Sequence, residues 1–104
     1  MVIRRDVFEK LNGFDETLPV AYNDVDLCIR LRNAGWRIIW TPVAELYHQE
    51  SASLGRHDSG PHGQQFMRDV RLMRERWGPV LDADPYYNRN LSLDRAYELA
   101  FPPR

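Results

Sequence analysis

The sequence predicts a small α/β domain, and three observations carry that expectation. A stretch opening at Asn23 has the caps and spacing of a helix. Arg37-Ile38-Ile39-Trp40-Thr41 is a β-branched and aromatic run closed by Pro42. Phe66, Val70, Met73 and Trp77 recur at i, i+4, i+7 and i+11, the stripe of an amphipathic helix. At 104 residues the chain has the size of one modest domain over residues 1–104, able to bury about 65 per cent of its extended surface.

The elements follow in order. Asp6 to Leu11 reads as a short helix, with Val7, Phe8 and Leu11 on one side and Asn12-Gly13 closing it. The next helix starts at about Asn23, whose side-chain oxygen suits an N-cap. Asp24 and Asp26 stand where the positive end of the dipole favours acids. Leu27, Leu31 and Ala34 share a face with Cys28, and Gly35 supplies a helix-ending residue. Arg37 to Thr41 reads as a strand, and Val43 to His48 as a second extended piece. Residues 49–63, polar and rich in Gly and Ser, read as a long mobile loop. A helix from Gln64 to Trp77, with Met67 beside its stripe, ends at Gly78-Pro79. Residues 78–104 form an irregular tail with a short helix around Leu93 to Leu99.

Two opposed readings attach to the acids at Asn23. A carboxylate in a helix's first turn is favoured in its charged form by backbone N–H groups and the dipole, so it suits a proton acceptor for a hydroxyl. Asp24 is the candidate base. The alternative is capping: Asn23 with Asp26 three residues on resembles a capping box, and Asp26 with Arg30 is a favourable i,i+4 pair.

Charge and composition exclude several classes. Fourteen basic and fifteen acidic residues leave a net charge of −1 with both signs interspersed, which favours neither nucleic acid nor an anionic membrane. Arg68, Arg71, Arg74 and Arg76 alternate with Asp69 and Glu75, as on a solvated helix face. No transmembrane run and no signal-peptide pattern occurs. The single cysteine, Cys28, makes no internal disulfide and suits core packing. His57 and His62 lack the spacing and companions of a zinc site.

Several short motifs stand together in order: Ile3-Arg4-Arg5-Asp6-Val7-Phe8, Leu11-Asn12-Gly13-Phe14-Asp15-Glu16, Asn23-Asp24-Val25-Asp26-Leu27-Cys28-Ile29-Arg30-Leu31, Gly35-Trp36-Arg37, Pro42, Ala44 and His48. This half of the chain resembles the C-terminal part of the catalytic domain of family 2 glycosyltransferases, the inverting GT-A group. The tail Asp84-Pro85-Tyr86-Tyr87-Asn88-Arg89-Asn90-Leu91-Ser92-Leu93 resembles the ending of bacterial members that build surface polysaccharides such as O-antigen.

The resemblance implies a fold and a chemistry. The fold would be a GT-A fragment, its sheet incomplete without an N-terminal half. Asp24 falls on the family's base, with Asn23 in place of the usual Glu. Asp26 falls on a following acid that binds acceptor or supports the site. His48 lies where many relatives place a histidine near the metal or the donor diphosphate, or else is an ordinary surface histidine. Ser51, Ser53, Arg56 and His57 are either loop contacts to substrate or parts of a linker. Asn12-Gly13-Phe14-Asp15 resembles the family's Gly-Gly-Phe-Asp loop, since Asn also tolerates positive φ.

The reaction implied is inverting transfer from a nucleotide-sugar donor to a glycan or lipid-linked hydroxyl, with a divalent cation, Mg or Mn, neutralising the leaving diphosphate. The family's Asp-x-Asp motif at a strand end is absent. Asp24-Val25-Asp26 and Asp82-Ala83-Asp84 have its letters in other contexts. The expectation is therefore a fragment, inactive and cation-free in isolation, cytoplasmic or lying at the inner membrane surface. An orphaned strand predicts a homo-oligomer. The rival expectation is a non-catalytic remnant or interaction module.

Overall fold

A computed structural model describes residues 1–47, 60–95 and 98–102, with only the backbone of residues 60–62. Three helices form in order: α1 (Arg5–Lys10), α2 (Asn23–Asn33) and α3 (Gly60–Asp82). No strand forms among the described residues, whose one β-bridge joins Leu91 to Leu99. The protein as described is therefore mostly helical rather than an α/β sheet structure.

α1 and α2 end by the same device. Beyond α1, Asn12 donates to the Glu9 carbonyl at 3.0 Å and Gly13 to the Phe8 carbonyl at 2.9 Å. Beyond α2, Gly35 donates to Arg32 at 2.9 Å and Trp36 to Leu31 at 3.0 Å. Both are Schellman endings, which need a residue in the left-handed region. Asn12 (φ 59°) and Gly35 (φ 84°) supply it, as their residue types predict.

The apolar core is small. Val7 of α1 packs with Leu27 and Leu31 of α2, flanked by Ile3, Phe8 and Leu11. Leu18 and Met73 are also buried. Arg30 ties the two helices together: its guanidinium donates to the carbonyls of Leu11 (2.5 Å) and Gly13 (2.8 Å), at the end of α1.

α3 is longer at both ends than the sequence suggests. At its start, Pro61 falls in the first turn, where a missing N–H costs no helical bond. At its end the helix runs through Gly78 and Pro79 to Asp82. Pro79 leaves the Glu75 carbonyl without its helical N–H, and the glycine before it, having no Cβ, eases only the crowding that proline imposes on its predecessor. Met73 is buried, and Phe66, Val70 and Trp77 are half-buried, whereas Met67 is exposed.

The strand expected over residues 37–41 does not form. A strand needs a neighbour to take its N–H and C=O groups, and no described segment offers one. Ile38, Ile39 and Trp40 lie exposed, Trp40 at 84% of its surface, and the exposure continues through Val43, Leu46 and Tyr47. The second extended piece likewise makes no ladder up to residue 47.

The tail helix expected at 93–99 gives way to a narrow turn-back. Ser92 donates to the Glu98 carbonyl and Ala100 to the Asn90 carbonyl, both at 2.8 Å, across the Leu91–Leu99 bridge. The Tyr87 hydroxyl fastens it by donating to the Ser92 carbonyl at 2.9 Å. No described helix is long and apolar enough to cross a membrane.

Candidate functional site

The site is the first turn of α2 and the loop that enters it. Tyr22, not Asn23, occupies the cap position, and Asn23 is the first helical residue. Tyr22 sits in the left-handed region (φ 64°, ψ 7°) and makes no side-chain capping bond. Its carbonyl instead accepts the Asp26 N–H at 2.8 Å. The capping-box alternative thus fails on geometry, because neither Asn23 nor Asp26 fills its assigned place.

Asp24 is exposed. Its Oδ1 accepts the N–H of Val25 at 2.8 Å, and it makes no ion pair among the described residues. Its neighbour Val25 lines an open groove of about 950 Å³ between α2, residues 35–40 and the end of α3, whose floor includes Cys28, Trp36 and Tyr86. Asp24 itself does not line that groove. Cys28 is half-buried, and burial, followed by the negative charge of Asp24, pushes its thiol pKa up.

Asp26 is completely buried. Oδ2 accepts from Arg30 Nε at 2.7 Å, and Oδ1 from Trp77 Nε1 at 2.9 Å, with Arg76 Nη1 at 3.5 Å. The i,i+4 pair with Arg30 forms as its spacing predicts. Sealed in this way, the side chain holds α2 against α3 and presents nothing to an acceptor. Arg76 reaches on to Asp15 and to the Thr17 hydroxyl, joining the loop before α2 to the same network. Hydrogen bonds from the Thr17 hydroxyl and amide, then from Arg76, hold the Asp15 carboxyl down at about 2.

Asp69, placed by its sequence context on a solvated face, is instead 1% exposed. Its Oδ2 accepts the backbone N–H groups of Val20 (3.2 Å) and Ala21 (2.9 Å), and Oδ1 accepts from Gln65 at 2.7 Å. The Phe66 and Tyr22 rings meet one turn away, their centroids 5.8 Å apart. The sequence offered one signal for these partners: Trp77 on the inward stripe carries an N–H that burial obliges to find an acceptor.

His48, Ser51, Arg56 and the other loop candidates, Ser53 and His57, lie outside the described residues. Among the described residues no cluster of three His, Cys, Asp or Glu side chains gathers as a metal site requires.

Comparison with known proteins places this geometry in a context. The chain is 45% identical over 105 residues to "Uncharacterized protein y4gI" of Sinorhizobium fredii, which it matches along its whole length. It is 41% identical over 93 residues, 89% of the chain, to "O-antigen biosynthesis protein RfbC" of Myxococcus xanthus. Over 56 residues it is 41% identical to the "N-acetylglucosaminyl-diphospho-decaprenol L-rhamnosyltransferase" of Mycobacterium tuberculosis. The chain is a relative of family 2 glycosyltransferases. It spans 12%, 7% and 18% of the lengths of these three proteins. No family model and no solved structure matches.

Proposed function

We propose that the chain supplies the acceptor side of an inverting glycosyltransferase in surface-polysaccharide synthesis, with Asp24 as the base that takes the proton of the acceptor hydroxyl. The observation that carries this is the contrast between the two acids of one helical turn. Asp26 is sealed in packing and fully bonded, while Asp24 faces outward, unpaired, at the positive end of α2. Asn23 and Asp26 form no capping box, and Asp24 spends one oxygen on the first-turn amide of Val25 while the side chain stays exposed.

In this reading the hydroxyl oxygen attacks the anomeric carbon of a nucleotide sugar, the bond to the diphosphate breaks, and Asp24 holds the released proton. Among the described residues no group of side chains fits a divalent cation. Donor sugar and cation belong to other parts of a longer polypeptide, and the isolated 104-residue chain is inactive. As an isolated chain its exposed apolar run at 38–47 is covered by a second copy, giving a homo-oligomer. The working place is the cytoplasm or the inner membrane surface.

The test is a chimera of the Myxococcus protein in which this chain replaces the 93-residue stretch it matches. Expressed in cells lacking their own copy, it should restore O-antigen. A chimera present at the normal level that restores none would overturn the proposal. Light scattering of the isolated chain should show a dimer or larger species. A monomer at high concentration would refute the oligomer.

A further inference from the structure

We infer that α3 is a clamp that sets the direction of the α2 N-terminus, with Asp69 as the positioning residue that holds Tyr22 in its left-handed conformation. This rests on the reading of Asp24 as base and goes beyond it.

Three observations converge on it. A bulky L-residue with φ near +64° is a backbone outlier, and such a conformation persists only where its surroundings over-determine it. At Tyr22 the surroundings do so. Asp69, buried on α3, takes the N–H groups of the two residues before it, and the Phe66 ring packs on its own ring. On the far side of the same turn, Trp77 and Arg76 of α3 bond Asp26. α3 therefore holds the chain both before and after Asn23-Asp24, while Asp24 and Val25 between those anchors stay exposed.

The clamp also accounts for two otherwise unexplained features. A buried carboxylate needs several donors, and Asp69 draws two of its three from the loop rather than from its own helix. The left-handed Tyr22 lets the chain turn sharply into α2, so that the carbonyl of Tyr22 closes the first helical bond to Asp26.

The test compares amide hydrogen exchange in the full 104-residue chain and three variants. Asp69→Ala strands the Val20 and Ala21 N–H groups. Exchange of the Asp26 amide should then rise by about tenfold or more, while the Leu11 and Trp36 amides at the ends of α1 and α2 change much less. Asp69→Asn keeps an oxygen for the two N–H groups and should restore protection. Asp69→Ala with Tyr22→Gly should restore part of it, because glycine adopts the left-handed region without strain. A loss of fold alone would speed all three amides together and would not be rescued at position 22. That pattern, or an unchanged Asp26 amide, overturns the clamp. In the Myxococcus chimera, Asp69→Ala should lower O-antigen and Asp69→Asn should restore it. Should Asp24→Asn leave O-antigen intact, the base assignment falls, while the exchange comparison still decides the clamp.

Discussion

Replacing Asp26 by Ala removes the joint between α2 and α3, and its effect can be worked from the bonds it makes. The carboxylate is completely buried and accepts from Arg30 at 2.7 Å, Trp77 at 2.9 Å and, weakly, Arg76 at 3.5 Å. Removing one member of a buried ion pair costs about 3–5 kcal/mol, because the other is left uncompensated. Within that, a stranded indole N–H accounts for about 1–3 kcal/mol. Arg30 keeps two carbonyl acceptors and Arg76 keeps Asp15, so the lower end applies, about 3 kcal/mol. A domain of this size has about 5–15 kcal/mol in total, and the small core here argues for the low side. With a urea slope of about 1.5 kcal/mol per molar, the unfolding midpoint should fall by about 2 M. Asp24→Ala, at an exposed position bonded only to its neighbour's amide, should stay within about 0.5 kcal/mol of the parent. Urea titrations followed by Trp fluorescence measure both. A fall of less than about 0.5 M for Asp26→Ala, or equal falls for the two variants, would refute the reasoning.

Further outcomes follow from other residues. Asp15 has a folded-state pKa of about 2 against an ordinary 3.8, so the folded chain binds that proton less readily than the unfolded one. Its stabilising effect should be complete above about pH 4 and fade as pH falls toward 2. Asp15→Asn should flatten that part of a stability-against-pH curve. Gly13 has φ 64°, and a Cβ there would stand 3.0 Å from the Phe8 ring, so Gly13→Ala should cost about 1–2 kcal/mol by thermal or urea unfolding. Because Asp24 raises the Cys28 thiol pKa after burial does, the pH profile of Cys28 alkylation in Asp24→Asn should move to lower pH.

Several local rules were legible where neighbours in sequence decide the outcome, though the N-cap expected at Asn23 was not among them. The Asn12-Gly13 and Gly35 endings, the Asp26–Arg30 pair and the inward Leu27 and Leu31 all form as their spacing requires. What the sequence hid depends on distant partners. Asp26 and Asp69 look like solvated first-turn and surface acids until Trp77, Arg76 and two loop amides close around them. The strand propensity of Ile38, Ile39 and Trp40 is real but unanswered, since a ladder needs a second chain segment that the described residues lack. Pro79 misled because α3 runs on only to Asp82, and the glycine before it, lacking a Cβ, eases the crowding at residue 78.

The most direct measurement concerns one carboxyl group. In Myxococcus cells relying on the chimera, Asp24→Asn removes the carboxylate and leaves the side-chain shape. O-antigen should vanish while the protein persists at its usual level. Undiminished O-antigen in that variant would contradict the role assigned to Asp24.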